Sequence, residues 1–141
     1  MEQDPLELAA RALAHRDRSR RDVDERLARA GIDEERRADA LETLERVGYV
    51  DDERFAGARA DVLAGRGYGD EWIRHDLAEH GLAGEAAAAA IGALPPEAER
   101  AAALVERLGR SRKTAARLAR KGFGADALGA ALGTDVGDSA G

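Results

Sequence analysis

A leucine, three further residues, a glycine and an apolar residue recur three times in this chain: Leu27…Gly31-Ile32, Leu77…Gly81-Leu82 and Leu118…Gly122-Phe123. Each is the signature of a helix end. Glycine takes the left-handed conformation just past the last turn without a Cβ penalty, and the apolar residue after it folds back onto the helix. The glycines are spaced by 50 and 41 residues, and each closes the middle one of three successive helical patterns. This predicts a tandem array of three-helix repeats. A unit of that size buries little apolar surface alone, so neighbouring units are expected to share a core.

Composition agrees with helices. Valine, isoleucine and threonine together number only 12 of 141 residues, too few for a sheet-based fold. Apolar residues make up 44%, much of it alanine, and aromatics only 4%, so helices must approach closely around few large side chains. The expected class is all-α: three tandem three-helix repeats in an elongated, curved arrangement, over residues 1–48, 49–94 and 95–133, with a disordered tail at 134–141. Those last residues carry no apolar period.

In chain order, Asp4-Pro5 opens the first helix, with proline at a position whose N–H would be unpaired anyway, and the helix is expected to run to about His15. Ser19 caps the second, whose apolar face is Val23, Leu27 and Ala30. Asp33 caps the third, which ends at Gly48. The next segment, Gly48-Tyr49-Val50-Asp51-Asp52-Glu53-Arg54-Phe55, is a helix stop followed at once by a helix start. Asp51 is the cap, Asp52 and Glu53 meet the positive end of the helix dipole, and Val50 and Phe55 have the spacing of a hydrophobic staple. Tyr49 is expected as a buried anchor between the two helices, its truncation costing about 3 kcal/mol.

The fourth helix is expected to bury Phe55, Ala56, Val62 and Leu63; Asp70 is expected to cap the fifth, which carries Trp72, Ile73 and Leu77. A short alanine-rich helix follows from Glu85, and Pro95-Pro96 begins the third unit, with helices near 96–108, 111–121 and 125–132.

The net charge of -6 argues against a general polyanion binder, yet its distribution is uneven. Arg107 to Lys121 contains seven basic residues and no acidic one, while residues 22–53 hold 12 acidic and 5 basic side chains. On a helix from Ser111, residues Lys113, Arg117, Arg120 and Lys121 form one charged stripe opposite Leu118, with Arg112 beside it. A second basic cluster is Arg16, Arg18, Arg20 and Arg21. Both suit phosphates or an acidic protein surface, whereas the acidic middle favours a partner with basic protein surface. Exposed aromatics for base stacking are not expected.

No catalytic constellation emerges, and no cofactor or metal is expected. His75 and His80 lie about 140° apart round a helix, unlike zinc-binding pairs four residues apart, and both are expected at the surface. Gly109-Arg110-Ser111-Arg112-Lys113-Thr114 lacks the glycine that must precede the lysine of a phosphate-binding loop. Ser19 and Ser111 read as caps. With no cysteine, no membrane-length apolar run and no leader-like N-terminus, a soluble cytoplasmic protein is expected.

Taken together, Gly48-Tyr49-Val50-Asp51-Asp52 with Phe55-Ala56, Arg18-Ser19-Arg20, Gly69…Ile73…Leu77…Gly81-Leu82 and Lys113…Leu118…Lys121-Gly122-Phe123 make the chain similar to the RecX family, over about residues 6–132. Lys121 stands where that family more usually has arginine. The resemblance implies a cytoplasmic, non-enzymatic regulator in DNA recombination, repair and the SOS response. It implies a monomer that binds the RecA filament on single-stranded DNA and inhibits its extension, ATP hydrolysis and strand exchange, with direct DNA contact weak or indirect. The competing expectation is a helical DNA-binding protein with helix-turn-helix-like units.

Overall fold

The computed structural model describes residues 3–133, so the tail expected at 134–141 lies outside the described residues. Nine helices are found among them: α1 (Pro5–Leu13), α2 (Arg20–Arg29), α3 (Glu34–Arg46), α4 (Asp52–Gly65), α5 (Asp70–Glu79), α6 (Glu85–Gly92), α7 (Glu97–Leu108), α8 (Arg112–Arg120) and α9 (Ala125–Leu132). The fold is all-α, built of helical repeats.

Local chemistry sets the boundaries. The side chains of Asp4, Ser19, Asp33, Asp51 and Ser111 each accept a backbone N–H at the start of the helix that follows. At the recurring leucine–glycine pattern the N–H of Ile32, Leu82 and Phe123 donates to the carbonyl of Leu27, Leu77 and Leu118 at 3.1, 2.9 and 3.1 Å. The glycine between has φ of +86°, +85° and +95°. These are the two-bond helix ends that the pattern predicts.

Packing departs from the expectation of a shared core. Three apolar clusters form, each within three consecutive helices: Val23, Leu27, Leu41 and Val50 in the first, Ile73, Leu77, Leu82 and Ile91 in the second, Ala101, Val105, Leu118 and Phe123 in the third. The helix pairs in strongest contact all lie within one such set of three. Alanines let helices approach closely enough for each set to close over its own core.

Several side chains fall elsewhere than expected. Tyr49 is not a buried anchor: it is 59% exposed, and Val50, at 2%, fills the core instead. Tyr49 contributes its backbone, donating to the Leu44 carbonyl at 2.8 Å and accepting from Arg54. Val50 joins the first cluster while Phe55 packs against the second, so the expected staple falls on two sides of a boundary. Val62 is exposed. Asp70 does not cap α5; Gly69 occupies the cap position without a side-chain bond, and the Asp70 carboxylate is engaged by Arg100.

Candidate functional site

Because the cores are separate, the units meet through polar and backbone contacts, and these decide which charged groups remain free. At the junction of the first two units, Arg54 holds Asp17 through two hydrogen bonds of 3.0 Å, and Asp52 Oδ1 accepts the Arg20 backbone N–H at 2.7 Å. The bond to Asp17 raises the Arg54 pKa. His80 Nδ1 bonds Asp22 Oδ2 at 2.7 Å and Nε2 lies 3.8 Å from Asp76, while Phe55 meets the imidazole edge-on. His80 is therefore half-buried in a junction, not free at the surface as expected; His75 is exposed. Arg59 grips Asp76 with two bonds of 2.8 Å, which holds that carboxyl below its usual range.

The second and third units meet more intimately. Gly69 N donates to Lys121 O at 2.8 Å and Glu71 N to Gly122 O at 3.2 Å, so α5 begins against the end of α8. A Cβ on Gly122 would stand 2.6 Å from the Trp72 amide nitrogen, and one on Gly69 2.5 Å from the Gly122 carbonyl, so neither position has room for a side chain. Gly81 plays a comparable part at the first junction, where a Cβ would meet Arg21 at 2.8 Å. Gly31 and Gly48, by contrast, face open space.

Against this frame the two basic clusters separate. In the first, Arg18 donates to the Ala12 carbonyl at 2.9 Å, and burial, with Arg16 and Arg26 adding, lowers its pKa. Arg20 pairs with Glu45 at 3.0 Å, and Arg21 with Glu25 at 3.4 Å. Of these four, Arg16 alone is exposed and without a partner among the described residues, at the rim of a cleft with Asp17, Asp22, Phe55, Arg59 and His80. Arg18, Arg20 and Arg21 of that cluster are thus already engaged within the fold.

The second cluster survives in reduced form. Lys121 leaves the stripe: its Nζ donates to the Arg66 carbonyl at 2.9 Å and lies 4.0 Å from the Tyr68 ring centroid, tying the two units together. Arg112, Lys113, Arg117 and Arg120 are exposed and meet no acidic side chain among the described residues. Thr114 and Leu118 are the buried residues of α8, while Lys113, Arg117 and Arg120, at spacings of four and three, share one exposed face. Such a row can meet a line of phosphates or carboxylates.

Against the end of α8 lies what the sequence did not disclose. Trp72 is 43% exposed and stacks on Tyr68, ring centroids 4.8 Å apart and planes 14° from parallel, so an accessible aromatic is present after all. Its only sequence signal is its place next to Ile73, since Ile73 and Leu77 take the inward face of α5 and leave Trp72 about 100° away. Among the described residues no cluster of His, Asp or Glu is arranged to hold a metal ion, and no helix is long and apolar enough to cross a membrane.

Comparison with known proteins is consistent along the whole chain. Residues 51–91 match the family model described as RecX, second three-helix domain. The regulatory protein RecX of Xanthomonas axonopodis pv. citri (strain 306) is 36% identical over 147 residues, covering 97% of this chain and 91% of that protein. That of Stenotrophomonas maltophilia (strain R551-3) is 36% identical over 137 residues, covering 90% and 84%. The crystal structure of RecX from Lactobacillus salivarius superposes with a TM-score of 0.81 at 18% identity, covering 92% of each chain. A second crystal structure of regulatory protein RecX gives 0.74 at 21% identity, over 88% of this chain and 70% of that one. With sequence identity of this extent along nearly its full length and the same helical fold, the chain belongs to the RecX family.

Proposed function

We propose that the chain regulates a RecA-type recombinase in the cytoplasm by binding the recombinase filament on single-stranded DNA and inhibiting its extension, ATP hydrolysis and strand exchange. Three units, bounded near residues 48 and 94, follow the filament, and the effect is steric and populational: occupation favours one filament state and obstructs subunit addition. The observation that carries this reading is the free basic face Lys113, Arg117 and Arg120 on α8, in a chain that is otherwise acidic. An acidic body held near DNA by one basic helix favours contact with the protein of a nucleoprotein filament, with DNA as a secondary partner.

The test is ATP hydrolysis by the cognate recombinase on single-stranded DNA, titrated with this protein. Progressive inhibition is expected, weakened by reversing Lys113, Arg117 and Arg120 to glutamate in a variant that keeps its helical circular dichroism. Lys121 is left intact because it joins two units. Full inhibition by the folded triple variant would move the contact off α8, and no inhibition by the parent protein at any ratio would remove the reading.

A second reading, direct DNA binding through helix-turn-helix-like units, draws on the same exposed α8. It predicts tight, strongly salt-dependent binding to DNA without any recombinase.

A further inference from the structure

We propose that Trp72 is a stacking platform for one base of a single-stranded nucleic acid whose phosphates run along Lys113, Arg117 and Arg120. One face of the indole is occupied by Tyr68, so its solvent-exposed area falls on the other face and the edge. The indole N–H has no acceptor among the described residues and is free to donate to a base or phosphate.

An aromatic that served only to seal a junction would be covered by it; this one sits at the junction and remains 43% exposed. Any base has a π-face that such a ring can cover, which makes the contact tolerant of sequence.

The electrostatics converge on the same place. The bond from Glu71 N to Gly122 O sets the start of α5, which carries Trp72, against the end of α8, the helix that bears the basic row and on which Arg120 is the residue of that row nearest the junction in sequence. From Lys113 to Arg120 the row extends about 10 Å along the helix. Three carboxylates of the same junction are already engaged: Glu71 by Arg74, Asp70 by Arg100, and Glu97 by the backbone N–H of Asp70 and of Gly124. What remains for a ligand is an exposed indole and, on the helix whose end packs against α5, an unpaired cationic row. A duplex hides its base faces and offers phosphates only, so the pair of features selects a strand with unstacked bases.

Trp72 is the only tryptophan of the chain, so intrinsic emission reports on this site alone. The proposal goes beyond the filament reading, and its assay contains no recombinase, so either can fail without the other. The full-length protein is titrated at low ionic strength with a thymidine oligonucleotide, a uridine oligonucleotide and an abasic phosphodiester strand of the same length, with binding followed in parallel by anisotropy of labelled strands.

Quenching of Trp72 by the thymidine strand and none by bound abasic strand is expected. Quenching by both base-carrying strands supports a site for DNA or RNA alike, and quenching by thymidine alone supports one restricted to DNA. Trp72→Leu should lower affinity for the thymidine strand about tenfold while Trp72→Phe keeps most of it. Unchanged emission at saturation, or an abasic strand that binds as tightly as the thymidine strand, would overturn the proposal, and so would the absence of binding by any strand.

Discussion

Asp52 accepts the backbone N–H of Arg20 from 32 positions away, and Glu97 accepts that of Asp70 in the same manner, both at 2.7 Å. Arg20 and Asp70 are the first residues of α2 and α5, while Asp52 and Glu97 are the first of α4 and α7. The opening residue of each later unit thus satisfies an orphan donor at the start of the middle helix before it. Asp52→Ala should cost about 1 to 2 kcal/mol in urea unfolding. Glu97→Ala should cost more, because Glu97 also accepts from Gly124 at 3.3 Å. Equal stability of either variant and the parent would mean that these links form in the folded chain without contributing to it.

The glycines that end the middle helices should respond unequally to alanine. Gly31→Ala introduces a left-handed alanine facing open space, at about 1 to 2 kcal/mol. Gly122→Ala carries the same conformational cost and also drives a methyl group into the Trp72 backbone, so its loss should be clearly larger. Denaturation midpoints of the two variants decide this; similar losses would mean that the third unit shifts to make room.

Tyr49→Ala should change stability by less than about 0.5 kcal/mol, as expected of an exposed side chain. Val50→Ala should cost about 1 to 3 kcal/mol from the buried neighbour. The order of the two, read from urea unfolding, tests where the weight of this segment rests.

The Arg59–Asp76 pair makes part of the stability depend on pH. Asp76 is a stronger acid in the folded chain than in the unfolded one, chiefly through its hydrogen bonds from Arg59. Its contribution is therefore present above the ordinary carboxylate range and lost as pH falls through the folded value. Arg59→Met should lower stability by about 1 to 2 kcal/mol at neutral pH, discounted for the partial exposure of the pair. The gap to the parent should close in acid, and a gap that persisted there would assign the loss to packing of the arginine stem.

Much of the fold was legible because its signals are local. Ser19, Asp33 and Asp51 cap helices two or three residues away, and each glycine that closes a middle helix acts within one turn. The basic face of α8 could be read from spacing alone. What could not be read depends on how units dock. His80 meets Asp22 across 58 positions, Lys121 meets Arg66 across 55, and the stack under Trp72 stands where a third helix arrives. Neither hydrophobic period nor capping chemistry encodes those distances. Tyr49 was misread for a different reason: a large apolar residue after a helix-ending glycine has the pattern of a buried contact, yet here Val50 takes that place.

The two junctions differ in what holds them, and the difference has a mechanical consequence. Between the first and second units the contacts are mainly side-chain hydrogen bonds, the ion pair of Arg54 with Asp17 and the bond of His80 with Asp22. Between the second and third, main chain meets main chain over glycine at Gly69 and Gly122, beside an Arg100–Asp70 ion pair that is more buried than Arg54–Asp17. Added electrolyte screens the more exposed Arg54–Asp17 pair more than the better buried Arg100–Asp70 pair and the backbone bonds. The first junction should therefore loosen before the second as ionic strength rises, and protease or exchange measurements at increasing salt should find the first unit released ahead of the other two.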